Sequence, residues 1–303
     1  MVHDCVLALG FFDGIHLGHA ALLDRTRQRA QALGLTPAAL SFDTHPDTLV
    51  FGTAVPLLNT MAERELLMRR LCGMERVIFA HFDEAMMHMP WQVFVEDYLV
   101  RQLHAKHVVC GHDFHFGDRG QGDPARLQEK CRELGIGCDI IPKVEQDGIT
   151  ISSTYIRTLI AQGEMERAVQ FLGHPHVLTQ KVAHGKKIGS STLGFPTVNL
   201  HIPEGVIVPA FGVYTTKVCF GGESRIAVTN VGVRPTVQDG DRRVTVEGFI
   251  LDFDGDLYGQ TMRMEFYHRL RGERKFPNLE ALRSEVMRNA EQTRAYFKRT
   301  EER

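Results

Sequence analysis

The stretch from Val6 to Leu23, VLALGFFDGIHLGHAALL, constrains this chain more than any other. Val6–Leu9 is an unbroken apolar run closed by Gly10, the pattern of a short buried strand. Asp13-Gly14 signals a tight turn. Ala20, Leu22, Leu23 and Ala30 then predict a helix running to Gly34-Leu35. A strand–turn–helix unit leaves backbone N–H groups free at the helix start, where the macrodipole favours an anion. His16 and His19 are three apart and share a helical face, and Gly18 between them has no side chain to block an approaching phosphate. Such a set suits a nucleoside triphosphate and the charge that gathers on a leaving pyrophosphate. The alternative is an ordinary helix start with two solvated or core histidines. A zinc site would need a Cys or carboxylate at ligand spacing, and the local sequence has none.

The pattern continues through the first half as alternating strands and helices. Pro37–Phe42, Arg76–Ala80, His107–Gly111 and Gly137–Ile141 read as further strands. A helix follows Asn59, with Thr60 and Glu63 as a capping box, another spans Met86–Leu103 with a break near Pro90, and a third spans Leu127–Leu134. This alternation predicts a parallel α/β sheet, whose ligands gather at the carboxyl ends of the strands. His45-Pro46 lies at one such end, or in a plain loop. His112–Gly117 (HDFHFG) lies at another, where Phe114 and Phe116 either stack on a flat ring or pack the loop onto the core. Farther on, ISSTYIR (151–157) predicts a helix from Tyr155 to Gln162 capped by Ser153 and Thr154. Arg157 one turn in makes it a second anion site, or simply a capped helix. One more short helix ends at Leu172-Gly173.

Beyond residue 175 the pattern changes to strands separated by glycine turns: Val177–Val182, Phe195–Leu200, Gly212–Phe220, Arg225–Val231, Thr245–Phe253 and Met262–Tyr267, with turns at Asp239-Gly240 and Asp254-Gly255. Strands at this spacing predict an antiparallel barrel. A last helix, Leu279–Phe297, takes Asn278 as its N-cap. The loop from His184 to Gly194 is not a Walker motif, but Gly185, Gly189 and Gly194 would let backbone wrap phosphates. Thr197 and Asn199 alternate on a strand and face one way, two neutral oxygens able to hold Mg²⁺ with ATP phosphates. Glu247 in the apolar strand TVEGFIL is either a base or an outward side chain on a half-exposed strand.

Taken in order, GFFDGIHLGH, the His-Pro loop, GHDFHFG and ISSTYIR resemble the adenylyltransferase half of the bacterial bifunctional riboflavin kinase/FMN adenylyltransferase (FAD synthetase) family. LGFPTVN, VTNVGVRPT, VEGFILDFDGDLYG and EFYHRLRGERKF are similar to its kinase half. The resemblance implies a Rossmann-like nucleotidyltransferase domain over residues 1–174 and an antiparallel β-barrel kinase domain with a C-terminal helix over 175–303. It implies that Gly10, Phe12, Asp13, His16, Gly18, His19, Ser153, Thr154 and Arg157 handle ATP, and that His45, Pro46, Asp113, Phe114 and Phe116 lie near FMN. In the second domain it implies Gly185, Gly189, Gly194, Pro196, Thr197 and Asn199 for Mg-ATP. Glu247 is then the catalytic base, and Arg269 and Arg271 lie in a loop closing over the flavin. The implied chemistry is phosphorylation of riboflavin to FMN, then adenylylation of FMN to FAD, with ATP and Mg²⁺ in both. Phe11, Thr44, Tyr155, Gln180 and the Gly189–Gly194 spacing depart from the family pattern, and the chain starts closer to HLGH than is usual.

Composition sets the outer limits. The 303 residues suffice for two cores. A net charge of -2 gives no footprint for nucleic acid or an anionic membrane. No apolar run is long enough for a transmembrane helix, the N-terminus does not read as a signal peptide, and six cysteines without a CxxC fit free thiols in a cytoplasmic protein. Homo-oligomerisation is left open. The competing readings are an enzyme with one silent domain, a flavin carrier or sensor without turnover, and a nucleotidyltransferase for another phosphate ester.

Overall fold

The structure is a computed structural model and describes residues 3–183, 197–235 and 242–301. It divides into two compact units, Met1–Ser153 and Thr154–Arg303.

In the first unit, β1 (Cys5–Leu9) leads to α1 (Leu17–Leu33), β2 (Thr36–Phe42), the short helix α2 (Pro46–Phe51), α3 (Met61–Cys72) and β3 (Arg76–Ala80). Then come α4 (Glu84–Met87), α5 (Trp91–Val93) running on as a π-helix over Phe94–Gln102, β4 (Ala105–Gly111), α6 (Pro124–Glu133) and β5 (Gly137–Ile141). A small hairpin of β6 (Glu145–Gln146) and β7 (Ile149–Thr150) ends the unit, turning through Asp147 and Gly148 at positive φ. The five large strands form one parallel sheet in the order β3-β2-β1-β4-β5. β1 is its centre, and all five of its residues are buried. The strand order reverses between β1 and β4, the place where open α/β sheets form a ligand crevice at their carboxyl ends. The loops after β1, β2 and β4 therefore lie where the sequence puts its candidate residues.

The local chemistry explains the boundaries. Gly34, Gly52 and Gly73 take left-handed conformations that end α1, α2 and α3. Thr60 and Glu63 form the expected capping box. Pro90 interrupts the long helix expected over Met86–Leu103. The helix α2 replaces what the sequence reads as a strand end running into a loop.

The second unit takes most of α7 (Ser153–Gln162), then α8 (Met165–Leu172) and six strands: β8 (His176–Lys181), β9 (Thr197–His201), β10 (Gly212–Phe220), β11 (Glu223–Pro235), β12 (Arg242–Ile250) and β13 (Thr261–Arg271). The helix α9 (Leu279–Glu301) closes the chain, with Asn278 accepting from the Ala281 amide as expected of its N-cap. The strands form one antiparallel sheet in the order β8-β13-β10-β11-β12-β9. It curls until Ala183, two residues past β8, bridges Asn199 on β9. Tyr214, Val218, Val231, Val246, Leu200, Met264 and Phe266 fill its interior, and Thr215 on β10 hydrogen-bonds Thr293 on α9. The expected domain boundary near residue 175 thus comes two helices after the division by packing: α8 lies against β8 and β13. The expected turn at Asp239-Gly240 lies outside the described residues. All six cysteines are free thiols, and no helix among the described residues is long and apolar enough to cross a membrane.

Candidate active sites

The loop from β1 to α1 is bent sharply. Phe12 (φ 58) and Ile15 (φ 45) join Gly14 (φ 84) in the left-handed region, which costs a β-branched residue such as isoleucine most. Both are fully buried, and the loop is held from behind. Ser41 Oγ and Arg64 Nη1 donate to the Phe11 carbonyl at 2.7 and 2.9 Å, and Ser153 Oγ donates to the Asp13 carbonyl at 2.9 Å. The buried Asp13 carboxylate accepts from the Leu58 and Asn59 amides at 2.8 and 3.3 Å, which ties the loop to the start of α3. Ser153 is therefore the first residue of α7, with its hydroxyl spent on the loop. The sequence predicts it as a cap in front of that helix.

His16 is the N-cap of α1: its Nδ1 accepts from the His19 amide at 3.2 Å. In a neutral ring this bond places the proton on Nε2, so His16 offers one N–H donor, at Nε2. His19 stacks on it with ring centroids 3.6 Å apart. Burial first, and the neighbouring His16 second, hold the His19 pKa well below the ordinary 6.5, so the site does not present two imidazolium charges at neutral pH. Gly18 matters because a Cβ there would press on the His16 ring at 3.2 Å. Gly10 is similar, facing the Phe12 ring at 3.0 Å.

His45 repeats the device. It caps α2 with Nδ1 accepting from the Asp47 amide at 3.2 Å, and its ring meets Phe11 edge-on at 4.6 Å. Pro46 opens the same helix. In the loop after β4, Phe116 is buried against Phe94 and stacked with Phe114. Phe114 is only half-buried and Asp113 is exposed. Of the two aromatic rings, Phe116 belongs to the core and Phe114 packs against that core while keeping part of its surface exposed. Thr154 and Arg157 lie in the first turns of α7, in the second unit.

The second cluster is on the barrel. Asn199 on β9, Glu247 on β12 and Asn230 on β11 stand side by side in register. Thr197, two residues along, donates from Oγ1 to Glu247 Oε1 at 3.3 Å. Asn199 is buried and its Oδ1 has no partner among the described residues. An unpartnered buried carbonyl oxygen beside a threonine hydroxyl is a donor set that fits a hard cation such as Mg²⁺. Gly185, Gly189, Gly194 and Pro196 lie outside the described residues.

Arg269 and Arg271, expected in a loop closing over the flavin, instead lie on β13, because the strand runs on past Tyr267 to Arg271, and the two side chains take different partners. Arg271 bonds Glu285 and Asn289 of α9 at 3.3 Å each, Arg274 bonds the other Glu285 oxygen at 2.8 Å, and both guanidinium groups lie over Phe276. Arg269 instead donates to the Phe211 carbonyl at 2.7 Å and packs on Gly163, at the turn between α7 and α8. Sequence reasoning missed Asn230, Arg64 and Glu273. The Glu273 carboxylate lies so close over Gly232 that a Cβ there would sit 2.2 Å from Oε1.

Residues 1–155 match the family model described as FAD synthetase, and residues 172–297 the one described as riboflavin kinase. The fold and these matches define a two-part flavin nucleotide-forming class. The Listeria monocytogenes serovar 1/2a protein named "Bifunctional riboflavin kinase/FMN adenylyltransferase" is 36% identical over 299 residues, 98% of this chain and 94% of its own. The Escherichia coli K12 protein of that name is 33% identical over 294 residues, 97% and 93% of the two chains. A solved structure titled "Crystal Structure of Macrolide-efflux Protein from Streptococcus pneumoniae" superimposes with a TM-score of 0.85 at 30% identity, covering 97% of this chain and 95% of that one. That title speaks of the pneumococcal protein; what bears on this chain is the fold shared over nearly its whole length. The chain belongs to the bifunctional riboflavin kinase/FMN adenylyltransferase family.

Proposed function

We infer that the chain makes FAD in two ATP-dependent steps, with FMN adenylyltransferase activity in residues 1–174 and riboflavin kinase activity in residues 175–303. It is an enzyme of flavin cofactor biosynthesis, its substrates riboflavin, FMN and ATP. The observation that supports the division of labour is that each unit holds one cluster of matching chemistry: a capped, donor-bearing helix start beside the switch point of the first sheet, and Thr197, Asn199 and Glu247 together on the second. We place the enzyme in the cytoplasm.

In adenylylation the nucleophile is already an anion. An FMN phosphate oxygen attacks the ATP α-phosphorus, and the bond to pyrophosphate breaks. No base is needed, so catalysis rests on alignment and on donors to the departing charge. The His16 Nε2 proton is such a donor, held in direction by the cap bond at Nδ1 and by the stacked, neutral His19. The α1 terminus adds charge of the same sign.

Phosphorylation of riboflavin starts from a neutral hydroxyl, so a base assists. Glu247 takes that proton as the hydroxyl oxygen bonds to the γ-phosphorus of ATP and the bond from that phosphorus to the bridging oxygen of the β-phosphate breaks, with ADP leaving. Thr197 gives its hydroxyl hydrogen to Glu247, which orients the carboxylate and leaves its own oxygen lone pairs available. Thr197 and Asn199 would hold Mg²⁺, which when bound offsets the charge of the ATP phosphates. Glu247→Gln tests the assignment. Riboflavin phosphorylation is expected to fall roughly 10²- to 10³-fold while conversion of added FMN to FAD continues unchanged. Phosphorylation at the parent rate would remove Glu247 as the base.

A further inference from the structure

Arg64 lies in MAERELLMRR, a run of charges that reads as a solvated helix face, yet its side chain is 0% exposed. Nη1 donates to the Phe11 carbonyl at 2.9 Å and to Ser41 Oγ at 3.0 Å, and Nη2 donates to the Phe42 carbonyl at 3.0 Å. The Phe11 and Phe79 rings cover it at 4.3 and 5.1 Å. Every acceptor it meets is neutral, and no carboxylate among the described residues lies within ion-pair distance of it. Asp13 and Asp43 act on it from farther away, and both are engaged elsewhere. Asp13 accepts from the Leu58 and Asn59 amides, and Asp43 accepts from His81 at 2.6 Å and from the Phe82 amide at 3.1 Å. Burial draws the guanidinium down to about 10, so it is charged at neutral pH.

Buried charges are normally matched by a partner within the protein, because desolvation is costly. Among the described residues Arg64 has only the more distant Asp13 and Asp43 to offset it and no ion-paired carboxylate, and its place suggests what completes the match. Phe11 belongs to the loop between β1 and α1, and Phe42 is the last residue of β2, directly before the Asp43–Pro46 loop. Arg64 thus grips, from underneath, the two loops assigned to ATP and to FMN. We propose that Arg64 is a positioning residue for FMN adenylylation, clamping these two loops to each other and supplying beneath them the positive charge that the phosphate-bearing substrates neutralise. The proposal rests on the assignment of adenylyl transfer to this unit.

The test uses the full chain with Arg64→Met and Arg64→Lys. FAD formation from FMN and Mg-ATP is followed under inhibition by inorganic pyrophosphate, an anion, and by adenosine, which is neutral. A unit charge acting across several ångströms of protein is worth about tenfold in anion affinity. Arg64→Met is therefore expected to raise the pyrophosphate inhibition constant about tenfold and leave that of adenosine unchanged. Arg64→Lys keeps the charge but not the three-way grip. It is expected to hold the pyrophosphate constant within about threefold while kcat falls. Three results would overturn the proposal: Met leaves pyrophosphate inhibition unchanged, Met weakens both inhibitors equally, or Lys weakens pyrophosphate as much as Met does. If the Met variant does not fold, the Lys variant decides alone, by retained or by lost pyrophosphate inhibition. Parent protein that forms no FAD would instead refute the assignment of the site.

Discussion

The proposed mechanism gives His16 two tasks on two nitrogens, and a pair of substitutions separates them. Nδ1 caps α1 by accepting from the His19 amide, and Nε2 carries the proton that the proposed mechanism directs to a phosphate oxygen. His16→Ala removes both. Loss of the cap costs about 1 kcal/mol, which in a domain of about 150 residues is a drop of roughly 2–4 °C in melting temperature. His16→Asn restores a capping oxygen, since asparagine is among the best N-cap residues, but its short amide cannot place a donor where Nε2 was. Removing one preorganised donor from a developing charge costs about 3 kcal/mol, or roughly 10²- to 10³-fold in rate. The expected pattern is then asymmetric. Both variants lose FAD formation by that factor and keep riboflavin phosphorylation, while only the alanine variant melts early. The assays are single-turnover conversion of FMN to FAD and thermal unfolding of both proteins. FAD formation by His16→Asn within threefold of the parent would refute the donor role. An asparagine variant that melts with the alanine variant would refute the cap.

Two further outcomes follow from the second unit. His176 is buried against Phe266, and burial, then His174, holds its pKa near 4 where the free side chain has 6.5. The unfolded chain therefore takes up this proton first as pH falls. Its contribution is complete above about pH 6.5 and is lost by about pH 4, about 3 kcal/mol in all. Denaturant unfolding of the parent and of His176→Phe across that window should show the smaller pH dependence in the variant, and equal slopes would contradict this. Glu285→Ala leaves Arg271 and Arg274 without their shared carboxylate. Because Arg274 is half-exposed, the expected loss is about 2 kcal/mol rather than the full cost of a broken buried pair. The KM for riboflavin should rise while FAD formation from FMN is untouched; an unchanged melting temperature and KM would show the shared Glu285 carboxylate to be idle.

Local signals carried far in this chain, and tertiary ones did not. The β1–turn–α1 unit, the Thr60/Glu63 box, the Asn278 cap and the strands of both sheets rest on period and on residue chemistry within a few positions, and they are where the sequence predicts them. Arg64 was illegible because its partners are a carbonyl of the β1–α1 loop and a hydroxyl and a carbonyl at the end of β2, all distant in sequence, and nothing in RELLMRR distinguishes its charge from its solvated neighbours. The capping role of His16 was hidden for the same kind of reason: spacing gives a shared face for His16 and His19, but only the fold says which nitrogen faces the backbone. The helices α7 and α8 show a further limit. Their buried residues, Ile156, Leu159 and Ile160 in one and Met165, Ala168, Phe171 and Leu172 in the other, announce an apolar face without saying what covers it. The packing division therefore falls ahead of these helices, while composition changes only after them. In the loop after β4, Phe114 and Phe116 look alike in sequence, and burial alone tells them apart.

The measurement closest to the central claim is a time course of the parent protein with riboflavin and Mg-ATP, the flavins separated chromatographically at intervals. FMN should appear first and FAD after it, with one pyrophosphate released per FAD formed. Accumulation of FMN alone, conversion of added FMN but not of riboflavin, or tight flavin binding without any conversion would each contradict two working sites in one chain.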